Sequence, residues 1–201
     1  MISRLTAIFT LTAVLAGTAH AQTAAELLND GKNPDNITTQ GMGYALHRHS
    51  TLTQINKNNI KRLVPVWNYS MESIYGEQAQ PLVYNGVMYV TNAKFTVAIN
   101  VETGRQIWRT AEDWDADTTR VVCCGISNKG AAIYNGKLYR LTLDAHVRAF
   151  DLKTGKPLWK QKFAEWKEGY SGINMPIIAN GVLLTGMSGA EFGVRGRSEE
   201  H

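Results

Sequence analysis

One sequence pattern recurs after about fifty residues, and such repetition restricts the fold more than any other feature of this chain. Residues 97–108 read VAINVETGRQIW, and residues 148–159 read RAFDLKTGKPLW. Ala98, Thr103, Gly104 and Trp108 of the first copy each have the same residue type 51 positions later. Repetition at this period is typical of proteins built from similar units placed side by side.

Short apolar segments separated by turn residues define the structure of each unit. Asn85-Gly86 and Asn135-Gly136 each separate two apolar segments, and Asn-Gly in that position is the strongest short signal for a β-hairpin. The Thr-Gly pair indicates a second turn, in which glycine accepts a positive φ. Each unit is therefore predicted to form four antiparallel strands that end near a tryptophan, which is the architecture of a propeller blade.

The repeats predict two nearly complete blades, with a partial unit before them and the start of another after them. Leu63–Trp67 is predicted to be a strand of the earlier unit, and Asn180-Gly181 to begin the later one. The indole of one blade is expected to pack over small residues of the next. Because a propeller closes with about four to eight blades, we expect an all-β fold, part of an incomplete ring. Residues 197–201 are expected to be a tail outside the repeat, without finishing strands.

The first 21 residues have the order of a secretory signal. Arg4 precedes the mostly apolar segment 5–15, and Ala19-His20-Ala21 forms an A-x-A site; a short buried helix is the alternative. We therefore expect a signal at 1–21, a partial repeat domain at 22–196, and a periplasmic or external location. No other apolar run approaches the roughly 18 residues that a membrane span needs. The net charge of +4 comes without a Lys/Arg cluster, so nucleic acid is not an expected partner.

The two cysteines, Cys123 and Cys124, are adjacent. They could be two buried thiols or a metal-binding pair, but no Cys/His set with metal-ligand spacing accompanies them. In an oxidising compartment we expect them to bond to each other. Such a bridge closes almost no loop and adds little stability. We therefore expect a functional role, such as a rigid surface against a planar ligand.

Read together, these features resemble the quinoprotein alcohol dehydrogenases, the methanol and ethanol dehydrogenase family that uses pyrroloquinoline quinone (PQQ). Tyr44–Asn56 is similar to the family's opening segment, and the Thr-Gly and Trp repeats are similar to its tryptophan-docking motifs. Cys123-Cys124-Gly125 resembles its vicinal disulfide, and Ser188–Gly196 its cofactor and metal segment. The resemblance implies the N-terminal blades of an eight-bladed β-propeller.

The resemblance also implies the residues of a cofactor site. PQQ is a flat tricarboxylate that needs a stacking surface, cationic or N–H donors, and a metal ion on its reactive carbonyl. Glu191 would ligate calcium or a lanthanide, both of which prefer oxygen ligands. The alternatives are a solvated loop carboxylate at Glu77 and a tight turn at Ser188–Ala190. The implied cofactor contacts are Glu77, Cys123, Cys124, Lys129, Ser188, Gly189 and Ala190.

Two positions depart from the family pattern. Lys129 stands where the family usually has arginine near the reactive carbonyls, which keeps the charge but loses the planar fork of donors. Ile173 stands where the family tends to have threonine, and its side chain cannot form a hydrogen bond with a cofactor. The remaining metal ligands, the catalytic aspartate and a tryptophan over the other face of the quinone are expected in later blades.

The resemblance implies a periplasmic enzyme that oxidises primary alcohols and passes electrons to cytochrome c. This chain alone is expected to be inactive, because it contains no candidate for the catalytic base, and to self-associate through exposed blade faces. Two alternatives stay open. One is a non-enzymatic propeller scaffold of the outer-membrane assembly type, and the other is an inactive truncated dehydrogenase product.

Overall fold

A computed structural model describes residues 22–122, 125–196 and 198–200, with side chains up to residue 196. The predicted signal at 1–21 and Cys123-Cys124 lie outside the described residues, as do residues 197 and 201. The described chain contains three antiparallel sheets. Its helical segments are short: α1 Ala24–Leu28 and 3-10 turns at Asp30–Lys32, Ile60–Arg62, Ala116–Arg120, Trp166–Glu168 and Ala190–Phe192.

The first two sheets are the two predicted blades. Blade 1 contains β1 Leu82–Tyr84, β2 Val87–Thr91, β3 Phe95–Asn100 and β4 Gln106–Ala111, hydrogen-bonded in that order. Blade 2 contains β5 Ala131–Tyr134, β6 Lys137–Thr142, β7 His146–Asp151 and β8 Pro157–Lys162, also in sequence order. The prediction of four antiparallel strands per unit is therefore confirmed.

The strand register is the same in both blades. Ala98 pairs with Trp108 in blade 1, and Ala149 pairs with Trp159 in blade 2. Each ladder shifts register directly after its alanine. The Asn-Gly turns also match, because Asn85 and Asn135 have φ of 48° and 47°. A two-residue hairpin turn of this type requires a positive φ at its asparagine.

The third sheet, blade 3, contains β9 Ile177–Ala179, β10 Val182–Gly186 and β11 Ser198–Glu200, in the order β11-β10-β9. The predicted hairpin at Asn180-Gly181 joins β9 to β10 and is confirmed. The expectation that the end of the chain forms no further strand is wrong, since β11 pairs antiparallel with β10. Pairing there satisfies backbone donors and acceptors that the edge of β10 would otherwise leave open.

Leu63–Trp67, expected to be a strand, does not form one. A strand needs a partner for its backbone groups, and this segment pairs with no strand in the described chain. Pro65 also lacks an N–H group for pairing. Trp67 nevertheless docks onto blade 1, where its indole Nε1 donates to Val101 O at 2.9 Å.

Tryptophan docking connects one blade to the next, as predicted. Trp108 of blade 1 is only 8% exposed, and its indole Nε1 donates to Leu152 O of blade 2 at 3.1 Å. Gly155 lies directly under the ring, since a Cβ built there would be 2.5 Å from Trp108 Cδ2. Thr110 Oγ1 adds a hydrogen bond of 2.7 Å to Gly155 O.

A buried ion network also joins the first two blades. Glu112 directly follows β4, and its fully buried side chain lies between two arginines of blade 2. Its carboxylate is 2.8 Å from Arg148 Nη1 and 3.4 Å from Arg140 Nη1. Arg140 also donates to Asn92 O at 2.7 Å and Phe95 O at 2.9 Å. Burial lowers the pKa of the Arg140 guanidinium from its usual value, although the neighbouring Glu112 opposes this shift.

The main apolar core lies between blades 1 and 2, and the residues before β1 pack on the inner strands of the blades. Ile37 pairs with Val83 of β1 as an isolated bridge. Within the described residues, no helix is both long and apolar enough to cross a lipid bilayer. The core between the blades contains Leu82, Tyr84, Tyr89, Ala98, Trp108, Ala131, Ile133, Leu138, Phe150, Leu152 and Met175.

Candidate functional site

The predicted site residues that the structure describes lie at one end of the three sheets. The Asn-Gly turns connect the first two strands of each sheet at the opposite end. Residues that precede β1 and β5 or follow β10 therefore share the other end, called here the loop end. Glu77 precedes β1, Lys129 precedes β5, and Ser188–Glu191 follows β10. Hydrogen bonds join these connections, because Gln80 N donates to Lys129 O and Lys129 N donates to Ile173 O.

Glu77 is an exposed residue whose carboxylate contacts a buried amide. Asn92 Nδ2 donates to Glu77 Oε1 at 3.2 Å. Asn92 is itself held in place, since its Oδ1 accepts hydrogen bonds from Lys94 N at 2.9 Å and Phe95 N at 2.7 Å. The turn between β2 and β3 therefore orients the Glu77 carboxylate, for which the sequence also allowed a fully solvated position.

Lys129 is exposed, but its backbone is anchored by its neighbour Asn128. The buried Asn128 accepts a hydrogen bond from Thr91 Oγ1 at 2.5 Å and donates to Leu141 O at 3.1 Å. The amide of Lys129 donates to Ile173 O at 2.8 Å. The position of the Lys129 backbone is thus set by blades 1 and 2 and by the connection that precedes blade 3. The sequence did not identify Asn92 and Asn128 as residues that position the site. The one signal for them is that each is an asparagine beside a predicted strand.

Ile173 is buried in an apolar cluster with Ala93, Val122 and Leu143. These residues come from four different connections at the loop end, so the cluster packs the three blades together there. A threonine at position 173 would bring a hydroxyl group into this apolar cluster. Isoleucine at position 173, where the family tends to have threonine, therefore contributes to the packing of this cluster. The sequence alone did not reveal this role.

The segment Ser188–Glu191 is held by close backbone contacts. Ser188 and Ser171 form an isolated bridge, with N–O distances of 2.9 and 3.0 Å. Gly189 has φ of 130°, and a Cβ there would overlap Gly169 O. The tight-turn explanation for Gly189 is therefore supported. Ala190 and Glu191 are exposed in the 3-10 turn that follows.

Cys123 and Cys124 lie outside the described residues, so their predicted bond stays a prediction. The flanking Val122 and Gly125 belong to the connection between β4 and β5, which also contains Lys129. Within the described ranges, no group of three or more His, Cys, Asp or Glu side chains could hold a metal ion.

An open cavity of about 480 Å³ lies beside Lys129. Its polar lining includes Lys129 and Asn174, and no sequence motif points to Asn174. The lining also includes the last three residues of β10, so the cavity extends from the connection before β5 to blade 3. The lining residues are Gln40, Lys129, Asn174, Met175, Ile177, Leu184, Thr185 and Gly186.

Comparison with protein families gives a match over most of the chain. Residues 39–166 match the PQQ family described as "Glucose/ethanol/alcohol dehydrogenase, beta-propeller domain". The quinoprotein alcohol dehydrogenase PedH of Pseudomonas putida is 43% identical over 195 residues, which cover 94% of this chain and 32% of PedH. The lanthanide-dependent methanol dehydrogenase of Methylacidiphilum fumariolicum is 35% identical over 86% of this chain and 29% of its own length.

Solved structures show the same relationship. A europium-containing methanol dehydrogenase superposes with a TM-score of 0.83 at 34% identity, covering 88% of this chain and 31% of that protein. The quinohemoprotein alcohol dehydrogenase of Comamonas testosteroni gives a TM-score of 0.76 at 33% identity, over 89% of this chain and 29% of that protein. The chain spans about a third of the length of the curated relatives it matches. The chain belongs to the PQQ-dependent glucose/ethanol/alcohol dehydrogenase family and forms part of its β-propeller domain.

Proposed function

We propose that residues 22–196 form the N-terminal, cofactor-contacting blades of a periplasmic quinoprotein alcohol dehydrogenase. Such an enzyme would oxidise primary alcohols with PQQ and a calcium or lanthanide ion, and pass electrons to a cytochrome c. One observation carries the proposal: Glu77, Lys129 and Ser188–Glu191 share the loop end of the sheets, where Lys129 lines an open cavity. The family match favours this function over a non-enzymatic scaffold.

The residues present fit the chemistry of the cofactor. The cavity of about 480 Å³ is within the usual range for a small-molecule site, about 300–1,000 Å³. Lys129 supplies a positive charge for an anionic ligand, and Ser188 supplies a hydroxyl group. Gly189 allows the close backbone contact with Gly169 O that holds this segment in place.

Each residue has a distinct role in the proposed site. When bound, PQQ supplies the oxidising carbonyl chemistry of the reaction. Glu191 would hold the metal ion through carboxylate oxygens. Lys129 would present its ammonium to oxygen atoms of the cofactor, and Glu77 would contact the cofactor with its carboxylate. A disulfide between Cys123 and Cys124 would offer a rigid surface for stacking, and Ser188, Gly189 and Ala190 would offer hydroxyl and N–H donors.

The binding of PQQ and metal by the chain tests this function. We expect PQQ to quench the tryptophan fluorescence of the exported chain, and we expect calcium or lanthanum to strengthen binding. Glu191→Ala should remove the effect of the metal, because the carboxylate ligand is lost. Glu102→Ala is the matched control, since Glu102 is exposed in the Thr-Gly turn of blade 1, away from the loop end. No PQQ binding, or equal metal dependence in both variants, would contradict the proposal.

Cys123 and Cys124 are expected to be bonded to each other in protein recovered from an oxidising compartment. The peptide containing both residues should lack two hydrogen atoms by mass spectrometry before reduction. It should accept two alkyl groups only after reduction. Alkylation of both thiols in freshly exported, unreduced protein would refute the prediction.

A further inference from the structure

Lys129 and Asn174 are two polar residues that line the 480 Å³ cavity. Neither side chain makes a hydrogen bond or an ion pair within the part of the chain that the structure describes. A third polar residue, Gln40, reaches the cavity from the N-terminal segment. Thr185 also lines it, but its hydroxyl already donates to Gly186 O at 3.0 Å. The lining groups that can still form hydrogen bonds with a ligand therefore include the Lys129 ammonium and the neighbouring Asn174 amide.

The backbone holds Lys129 and Asn174 next to each other. The amide N of Lys129 donates to Ile173 O at 2.8 Å, and Asn174 is the next residue after this acceptor. The buried Asn128 fixes the other side of Lys129 through Thr91 and Leu141. Hydrogen bonds therefore hold the backbone beside both side chains, while each side chain can still change its rotamer to contact a ligand.

Adjacent residues 173 and 174 have different surroundings. Ile173 is buried with Ala93, Val122 and Leu143 and does not line the cavity. Asn174 is half-buried and lines it. A polar group at position 173 would thus have to leave the apolar cluster to reach a ligand, whereas the Asn174 amide already faces the cavity.

We infer that Asn174 and Lys129 together bind the negatively charged, oxygen-bearing edge of a planar carboxylate ligand. The amide would donate one hydrogen bond beside the ammonium, and Asn174 would thereby supply the hydrogen bond that Ile173 cannot make. Asparagine offers two N–H donors and lysine three, and hydrogen bonds to charged oxygen atoms are the stronger class. The identity of the ligand as PQQ rests on the proposed function.

Removal of the amide is expected to weaken binding by about tenfold, which is the usual effect of losing a hydrogen bond to a charged group. Asn174→Leu removes the amide at similar size, and Asn174→Asp places a negative charge beside the ligand and should weaken binding further. Asn58→Leu is the control, because Asn58 is exposed in the N-terminal segment. Ile173→Thr should not restore binding to Asn174→Leu, since position 173 faces the apolar cluster.

Two measurements separate this inference from the proposed function. The first is the dissociation constant of PQQ for each variant of the full chain, from tryptophan quenching with calcium or lanthanum present. The second is the NMR shift of the Asn174 side-chain NH₂ signals when pyridine-2,4-dicarboxylate is added to the ¹⁵N-labelled chain. The second measurement needs neither PQQ nor metal, and Lys129→Met should abolish the shift.

The outcomes are distinct. Tenfold weaker PQQ binding by Asn174→Leu, with Asn58→Leu unchanged, supports both the inference and the function. Equal PQQ binding by both variants overturns the inference and leaves the function standing. A shift of the Asn174 signals with dicarboxylate, without any binding of PQQ, supports the inference and counts against the function. No response to either ligand overturns both.

Discussion

Glu112→Gln is expected to lower the free energy of unfolding by about 3 kcal/mol, in the range found when one partner of a buried ion pair is removed. The Glu112 side chain is fully buried between Arg140 and Arg148, and it also accepts a hydrogen bond from Thr96 Oγ1 at 3.0 Å. Glutamine keeps the shape but removes the negative charge. Two guanidinium groups would then share a buried site, where among the described residues the exposed carboxylate of Asp113, 2.6 Å from Arg148 Nη1, remains as a partner.

Denaturant unfolding of the two chains measures this loss. Glu102→Gln is the matched control, because Glu102 is exposed and surface substitutions usually change stability by less than about 0.5 kcal/mol. Salt offers a second check, since buried pairs are screened much less than exposed ones. The difference between wild type and Glu112→Gln should therefore persist at high ionic strength. Similar stability of the Glu112 and Glu102 variants would show that the network does not hold the two blades together.

Gly189→Ala is expected to lower the free energy of unfolding by about 3 kcal/mol and to displace the segment Ser188–Glu191. Its φ of 130° is a conformation that residues with a Cβ rarely adopt, and such strain costs about 1–3 kcal/mol. The added Cβ would also overlap Gly169 O and lie 2.7 Å from Val194 Cγ2. Because Gly169 O belongs to the backbone, the clash cannot be relieved by a change of rotamer.

Gly193→Ala separates the cost of the backbone conformation from the cost of the steric overlap. Gly193 also has a positive φ, of 80°, but a Cβ there meets no atom within 4 Å. Its substitution should cost only the conformational part, about 1 kcal/mol. The two variants can be compared by denaturant unfolding and by the metal dependence of PQQ binding, which Gly189→Ala should lose. Equal stability of the two variants would mean that the contact with Gly169 relaxes freely.

The local turn chemistry of the repeats was readable from the sequence. Asn85-Gly86 and Asn135-Gly136 predicted hairpins that the structure contains, because the turn type depends mainly on the residues within the turn. The docking of Trp108 onto blade 2 was also predictable, since the same spacing occurs twice. The expected strand at Leu63–Trp67 was wrong, and so was the expectation of no strand near residue 200. A strand depends on a partner that its own sequence does not specify.

The sequence by itself determined the repeated blades and the family. Each of these follows from short-range patterns in which neighbouring residues act on one another. Only the tertiary structure decided that Glu112 is buried between two arginines, that Ile173 faces an apolar cluster, and that Asn174 faces the cavity beside Lys129. Those features depend on contacts between residues far apart in the chain. Burial and charge pairing at such contacts are set by how the blades pack, which no single repeat encodes.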